Sequence, residues 1–288
     1  MRLVLVHGRS QQGKDPEALE REWLGALEKG LRKNDLKLPS HVEVAFPFYG
    51  DRLDAFARES KVPLTEDLKT KGGDPDAEFL SFEAEMAEEF RQRAGITDAQ
   101  VNELYGDNPK PKGPQNWEWV QAIFRALDKH VPGVGDDILE TFTRDVYLYV
   151  RLSGVRAEIN RIVARALSEE PTVVVGHSLG SVVAYSVLRE DTRSLNVPRY
   201  VTVGSPLGVR RIRDQFRPLK TAGPTQTWFN AYDDRDVVAL YPLDENNFPV
   251  TPAITNYGQV DNHTDNRHGI VGYLDDVRVA RAIYDALI

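Results

Sequence analysis

TVVVGHSLG, at residues 172–180, is the most informative segment of this chain for predicting its fold. Its first four residues form an apolar run of the strand type, and residues 181–188, SVVAYSVL, can form a helix. Between the two stands the pattern G-x-S-x-G. In the order strand, sharp turn, helix, this pattern holds a serine on a strained elbow with its hydroxyl exposed. The glycines are a steric requirement, because a Cβ at either flank would clash where strand and helix come close. We therefore predict that Ser178 is a nucleophile.

A nucleophilic serine also needs two hydrogen-bond donors for the negative charge that develops on the carbonyl oxygen it attacks. Residues 3–6, LVLV, read as an apolar strand that runs into a His-Gly turn at residues 7–8. We predict that the donors are the backbone N–H of Arg9, just past that turn, and the N–H of Leu179, directly after the serine. The alternative for residues 7–10 is an ordinary strand-to-helix turn.

The acid that orients the base is expected after the next-to-last strand, for which residues 227–232 are the candidate. Three aspartates follow: Asp233, Asp234 and Asp236. We favour Asp236, because the apolar residues 237–240 would anchor its carboxylate in a partly buried place. Asp233 and Asp234 have the character of solvated turn residues, and they remain the alternatives.

The base is expected after the last strand, for which residues 254–260 are the candidate. Residues 261–268 would form the loop after it, and residues 269–288 a closing helix with its apolar residues on one face. We favour His268, at the start of that helix, and His263 is the alternative.

With these residues the chain resembles the α/β-hydrolase superfamily. The resemblance rests on Val6-His7-Gly8, GHSLG at 176–180, DVV at 236–238, and His268 followed by Tyr273-Leu274. The order Ser178, Asp236, His268 is the order of the catalytic triad in that architecture. VGSPLG at 203–208, GHSLGS and VVAY are similar to segments of the lipase and phospholipase A1-like branch. The likeness covers residues 1–50 and 150–288.

The resemblance implies an α/β-hydrolase fold, with a mostly parallel, doubly wound sheet and helices on both faces. It also implies a serine hydrolase that cleaves a carboxylic ester, small or lipid, through an acyl-serine, with no cofactor and no metal. The His-Gly turn lacks the further glycines of the His-Gly-Gly-Gly esterases, which disfavours that subgroup. The same triad would also suit a peptidase, an amidase or a thioesterase.

Local signals fill in the remaining parts of this fold. Asp15-Pro16 is a capped helix start, and Leu19, Trp23, Leu27 and Leu31 recur every four residues after it. Residues 42–46 read as a second strand, and residues 154–167 as the helix that leads into the nucleophile strand.

Residues 51–150 are not needed for a minimal hydrolase core, and we predict that they form a helical cap or lid inserted into a single domain of residues 1–288. Residues 51–108 carry fifteen acidic and seven basic side chains. Two helical stripes follow, with Phe79, Phe82, Met86 and Phe90 in one and Val120, Ile123, Phe124 and Leu127 in the other. Their aromatic rings either form an apolar wall for the substrate or pack the cap.

Composition narrows the class of protein. The chain has 288 residues, 41% of them apolar, and no run of 18 apolar residues, so no transmembrane segment is expected. The first strand begins almost at Met1, and there is no cysteine, so we expect a cytoplasmic protein without disulfides or thiol chemistry. The net charge of −8 argues against nucleic acid as a partner.

Three rival interpretations stay open. GRSQQGK at 8–14 matches most of a phosphate-binding loop, but Asp15 stands where that loop needs Ser or Thr. His263, Asp265 and His268 could hold a metal, although their spacing is not diagnostic. The third rival is a non-catalytic interaction module on a hydrolase scaffold.

Overall fold

The structure is a computed structural model of the 288-residue chain, and it describes residues 1–60, 77–106, 113, 116–131, 133 and 136–288. The chain divides into two compact units. The first unit contains Met1–Asp54 and Gly154–Ile288, and the second contains Ala55–Ser153. The insertion predicted at 51–150 therefore nearly coincides with a unit of its own.

The first unit is built on one six-stranded sheet in which every adjacent pair of strands is parallel. The strand order is β2-β1-β3-β4-β5-β6. The strands are β1 (Arg2–Val6), β2 (Glu43–Ala45), β3 (Thr172–His177), β4 (Val197–Val203), β5 (Thr225–Ala231) and β6 (Thr255–Tyr257). Parallel neighbours need crossover connections, which helices supply here. The predicted α/β class with a parallel sheet is confirmed, although the last strand is shorter than the predicted 254–260.

The register of the central strands determines where β1, β3 and β4 end relative to one another. Val6 at the end of β1 pairs with Gly176 in β3, and His177 pairs with Val203 in β4. The residues that follow β1, β3 and β4 therefore leave the sheet at the same edge. In an open parallel sheet this carboxyl edge is where ligands bind.

Helices of the first unit connect these strands and pack on the sheet. They are α1 (Pro16–Arg32), α2 (Gly50–Glu59), α7 (Ser153–Ala164), α8 (Leu179–Glu190), α9 (Arg210–Arg213), α10 (Ile270–Leu274) and α11 (Val277–Tyr284). The boundary between the units falls within α2, after Asp54, and at the first residue of α7, Ser153. Asp15 caps α1 as predicted, because its carboxylate accepts from Glu17 N at 3.0 Å. All four residues of the predicted α1 stripe are buried, and Trp23, Leu27 and Leu31 join alternate residues of β1, β3 and β4 in the core.

The closing segment corrects one prediction. Residues 269–288 form two helices, α10 and α11, and not one. The break falls at Asp275–Asp276, where the Asp276 carboxylate accepts from the N–H groups of Arg278 and Val279 and starts α11 afresh. Because the helix restarts there, Val277 is 41% exposed and does not continue the buried face that a single helix would give it.

The second unit is helical throughout its described residues outside the short connections. After the end of α2 come α3 (Ala77–Arg93), α4 (Asp98–Tyr105), α5 (Trp117–His130) and α6 (Asp136–Arg151). The rings of Phe79 and Phe82 both pack edge-on against Tyr147, at centroid distances of 5.1 and 5.4 Å. The rings of Phe90 and Phe142 are tilted by 49° to each other, with their centroids 6.3 Å apart. These contacts between α3 and α6 support the packing interpretation of the predicted stripe.

None of the helices in the described ranges is both long enough and apolar enough to cross a membrane.

Candidate active site

Ser178 stands between β3 and α8 on a strained turn. Its backbone has φ 53° and ψ −131°, in the region that favours glycine. A Cβ at Gly176 would lie 2.7 Å from the Cα of Ser181, and one at Gly180 would collide with the backbone carbonyl oxygens of Val6 and His7. Only glycine fits these two flanks, because strand and helix touch there. A strand, a serine with positive φ and a helix thus follow one another directly from Thr172 to Glu190.

Three predicted residues meet in one hydrogen-bonded chain. The Ser178 hydroxyl and His268 Nε2 are 2.8 Å apart, and His268 Nδ1 and Asp236 Oδ2 are 2.7 Å apart. A carboxylate can only accept, so Nδ1 carries the proton and Nε2 is free to accept from the serine hydroxyl. Ser178 and Asp236 are buried, and the His268 side chain is 16% exposed. The order Ser–His–Asp is the arrangement in which a base activates a hydroxyl and an acid orients that base.

The Asp236 carboxylate accepts four hydrogen bonds. Oδ1 accepts from the N–H of Val238 at 2.9 Å and of Ala239 at 3.4 Å. Oδ2 accepts from His268 and also from the Tyr273 hydroxyl at 2.6 Å. Burial and the neighbouring Asp236 raise the pKa of Tyr273 well above its ordinary value, so the phenol stays protonated and donates. Each oxygen is thus held by two donors, which fixes the carboxylate in place.

Tyr273 is a contact of Asp236 that the sequence does not predict. The sequence marks it as a residue on the apolar face of the closing segment, which it is, since it is fully buried. Its hydroxyl reaches Asp236 across 37 positions of the chain and accepts from the N–H of Asp233 at 3.2 Å. A signal was available, because a buried Tyr hydroxyl usually needs a hydrogen-bond partner.

Asp233 corrects a second prediction, because it is fully buried and not a solvated turn residue. Its carboxylate accepts from the guanidinium of Arg235 at 3.1 and 3.2 Å and from the N–H of Asn262 at 2.8 Å. Asp234 behaves as predicted, with a side chain that is 79% exposed. Asp233 therefore joins the loop after β5 to the loop after β6, while Asp236 contacts His268.

His263 lies at a different place from Ser178. Its Nε2 is 3.0 Å from a carboxylate oxygen of Asp275, and that carboxylate also accepts from Lys29 at 2.6 Å. Of the two candidate bases, His268 is the one that the structure brings to Ser178. His263 and His268 have separate carboxylate partners, and no group of three metal-ligating side chains forms within the described part of the chain.

The turn after β1 lies directly against the serine. A Cβ at Gly8 would be 2.9 Å from the Cβ of Ser178 and 3.4 Å from its hydroxyl oxygen. Arg9 follows in this turn, and Leu179 N–H is the first of α8, so it has no acceptor within its own helix. Both predicted donors thus belong to segments that adjoin Ser178.

His7 stiffens the turn after β1. Its Nδ1 donates to the Gly8 carbonyl at 2.6 Å, and its Nε2 accepts from the N–H of Tyr49 at 3.0 Å. The Tyr49 ring stacks on it at 4.0 Å, and the Tyr49 hydroxyl donates to the His7 carbonyl. Burial lowers the pKa of His7 to about 4, so the ring is neutral at physiological pH and acts as a support.

His177, next to the serine, supports the other side of the site. Its Nε2 donates to the backbone carbonyl of His268 at 2.8 Å, and the two rings are 4.8 Å apart. Burial, and then the nearby His268, lower the pKa of His177 well below its ordinary value. A neutral His177 holds the His268 backbone without adding a second charge beside it.

The segment that resembles a phosphate-binding loop is closed by a carboxylate. Gly13 N–H donates to Asp51 at 2.7 Å, and the Lys14 ammonium donates to the side-chain oxygen of Gln11 at 3.2 Å. A phosphate would have to displace Asp51 and lie beside its negative charge. This arrangement argues against the nucleotide-binding interpretation.

No family model, curated protein or solved structure that was compared with this chain gave a match.

Proposed function

We propose that this chain is a serine hydrolase of the α/β-hydrolase type that cleaves carboxylic esters through an acyl-serine intermediate. The observation that carries the proposal is the hydrogen-bonded chain from Ser178 through His268 to Asp236, with spacings of 2.8 and 2.7 Å. These residues follow β3, β6 and β5 at the carboxyl edge of the sheet. The strained backbone of Ser178 adds support, since such strain clusters at functional sites.

In the first half of the reaction, Ser178 Oγ attacks the ester carbonyl carbon while its proton moves to His268 Nε2. The carbonyl oxygen becomes an oxyanion, to which the N–H groups of Leu179 and Arg9 donate. Asp236 stabilises the imidazolium that forms. His268 then gives the proton to the leaving alkoxide, the bond from carbon to that oxygen breaks, and the acyl-serine remains.

In the second half, water takes the place of the alcohol. His268 accepts a proton from the water as the water oxygen attacks the acyl carbon. The second tetrahedral species collapses, His268 returns the proton to Ser178 Oγ, and the carboxylic acid leaves. No cofactor or metal is needed to balance either half.

For the substrate we propose a carboxylic ester with an apolar acyl group, small or lipid. The support is the lipase-like elbow sequence at 176–180 and the VGSPLG segment at 203–208. The acidic composition of residues 51–108 disfavours a strongly anionic head group. The role of the helical second unit as a cap stays a prediction from its place in the sequence.

The experiment that tests the proposal is intact mass spectrometry after exposure to a fluorophosphonate probe. The wild-type chain should gain a single adduct, because the activated serine attacks phosphorus and expels fluoride. Ser178→Ala should gain none, and Ser181→Ala, which keeps the nucleophile and removes a neighbouring buried hydroxyl, should still be labelled. Turnover of p-nitrophenyl esters should fall about 10⁴-fold or more in Ser178→Ala.

Three other outcomes would change the proposal. Labelling without ester turnover, together with cleavage of matched anilides or thioesters, would reassign the leaving group to an amine or a thiol. An adduct that survives in Ser178→Ala would remove Ser178 as the nucleophile. No adduct on either protein, with the probe active on a control hydrolase, would favour the non-catalytic interaction module.

A further inference from the structure

The first unit contains a cavity of about 490 Å³ at the opposite end of the strands from Ser178. Arg199 and Thr227, which line it, are the third residues of β4 and β5, and Thr255 is the first residue of β6. Ser178, by contrast, follows the last residue of β3. The cavity is therefore distinct from the candidate active site and has no role in the proposed hydrolysis.

The strand register explains how the floor of the cavity is built. Arg199 pairs with Thr227 in the neighbouring strand, and Phe229 pairs with Thr255. Thr227 and Phe229 are two residues apart, so their side chains point to the same face of the sheet. These four side chains thus share one face, against which α11 packs through Ala282.

Three guanidinium groups line this cavity, and within the described part of the chain only one of them has a carboxylate partner. Arg281 pairs with Asp285 at 2.6 Å. Arg199 donates to the Thr227 hydroxyl at 3.1 Å and to the Ala282 carbonyl at 2.7 Å, both of which are neutral acceptors. Arg278 lies over the ring of Tyr257 at 5.6 Å.

Asp285 is the one carboxylate among the described residues that line the cavity, and it is already paired with Arg281. Two positive charges, on Arg199 and Arg278, consequently face the cavity without a carboxylate partner among the described residues. This occurs in a chain whose net charge is −8, where the average field favours cations. The Arg199 fork is also held in place by its two neutral acceptors, which reduces the entropy lost when it binds a ligand.

We propose that this cavity binds a small organic anion. Its oxyanion group, a carboxylate or a phosphoryl group, is recognised by Arg199 and Arg278, since planar guanidinium groups match the oxygens of both. Its apolar body lies on Phe229, which is 9% exposed at the floor. The volume lies within the range of small-molecule sites, which is roughly 300–1,000 Å³.

The test is isothermal titration calorimetry of the full chain with phenylphosphonate and with benzoate. Both carry an oxyanion on an aromatic ring, and neither is an ester. Benzyl alcohol is the uncharged control for the ring. The chain should bind at least one of the two anions and not the alcohol, and the preferred anion identifies the oxyanion group.

Two variants locate the binding, and a third controls for charge. Arg278→Gln should weaken binding about tenfold, because it removes a charge-assisted contact from an exposed residue. Arg199→Gln should have a similar effect, and melting temperature checks its fold. Arg21→Gln removes the same charge from a remote, exposed position on α1 and should leave affinity unchanged.

Three results would overturn the proposal. The first is that neither anion binds. The second is that Arg21→Gln weakens binding as much as the two cavity variants do, which would indicate general electrostatic attraction. The third is that the affinity is unchanged in both Arg278→Gln and Arg199→Gln. Binding at the Ser178 edge would give the last of these results. The failure of this proposal would leave the proposed hydrolase activity untouched.

Discussion

The loop after β5 and the helix α3 each bury a carboxylate completely, but the two carboxylates differ in the hydrogen bonds that they accept. Asp236, in the loop, accepts four hydrogen bonds, two of them from backbone N–H groups. Glu83, in α3, is equally buried, but neither of its oxygens has a hydrogen-bond partner among the described residues. Burial, and then the nearby Glu140, raise the pKa of Glu83 well above its ordinary value.

The difference shows what a buried carboxylate needs if it is to work as an anion. Desolvation penalises the charged form by several kcal/mol, and only donors or opposite charges offset that penalty. Asp236 has donors from its own loop, from His268 and from Tyr273. Glu83 has none among the described residues, so burial raises its pKa and favours its neutral form. Burial alone therefore does not mark a catalytic acid, whereas burial together with converging donors does.

The largest expected effect comes from removing the charge of Asp236. Asp236→Asn should lower kcat on p-nitrophenyl esters about 10⁴-fold, because an amide no longer selects the tautomer of His268 or stabilises its charged form. Steady-state kinetics on folded protein, checked by circular dichroism, measures this.

Asp233→Asn is the matched control, since Asp233 is equally buried in the same loop and contacts Arg235 and Asn262 instead of His268. It should lower the melting temperature and leave kcat close to that of the wild type. Equal losses of kcat in the two variants, at equal folded fraction, would refute the assignment of Asp236 as the orienting acid.

A second effect concerns Glu83 and stability. The pKa of Glu83 is raised in the folded chain, so the folded state binds more protons than the unfolded state. The free energy of unfolding therefore falls as the pH rises above the ordinary pKa of a Glu side chain. Glu83→Leu should raise the free energy of unfolding by about 2 kcal/mol at neutral pH, because it removes two unsatisfied buried oxygens.

Hydrogen exchange of the α3 amides, followed from acid to alkaline pH, resolves this effect locally. The advantage of Glu83→Leu over the wild type should grow with pH. Glu83→Gln, which cannot ionise, should show a flatter pH dependence than the wild type. Lower protection in both variants at every pH would mean that Glu83 is held by a polar partner, and the contrast with Asp236 would fail.

The smallest expected effect comes from removing the Tyr273 hydroxyl, which donates to Asp236. Tyr273→Phe removes one of the four donors and leaves the ring packed, so kcat/KM should fall about tenfold. With one donor fewer, Asp236 holds a protonated His268 more tightly, so the acid limb of the pH–rate profile should move to higher pH.

A purely structural role of Tyr273 would give another result. It would lower the melting temperature and leave the pH profile in place. Tyr257→Phe, a second tyrosine in the same unit whose ring packs on Phe229, is the comparison variant and should change neither kcat/KM nor the profile.

Features that depend on neighbouring residues could be predicted from the sequence. GHSLG between an apolar run and a helix predicted the elbow at Ser178, because the geometry of a tight turn is set by the residues within it. Asp15 before Pro16 predicted the start of α1 for the same reason. The restart at Asp276 was also readable as a helix cap, and the periodic apolar residues on either side of it concealed the break.

The choice among competing side chains was less accessible to the sequence. The sequence favours Asp236 and His268, and the structure places His268 at Ser178 and Asp236 at His268. Asp233, which the sequence predicts as a solvated turn residue, is buried. Its carboxylate is buried through contacts with Arg235 and with Asn262, 29 positions away. The phenol of Tyr273 and the cavity at Arg199 and Arg278 likewise depend on contacts between separate loops, strands and helices.

The α/β class, the turn at Ser178 and the chain order of Ser178, Asp236 and His268 can all be read from the sequence. Local chain geometry and the periodicity of apolar residues act over a few positions, so they can be read along the chain. Contacts in three dimensions establish which carboxylate faces His268 and which buried carboxylate lacks donors among the described residues. They also establish where two arginines have no carboxylate partner within that part of the chain. Hydrogen bonding and desolvation depend on distances in space, and the sheet register brings together residues that lie tens to hundreds of positions apart.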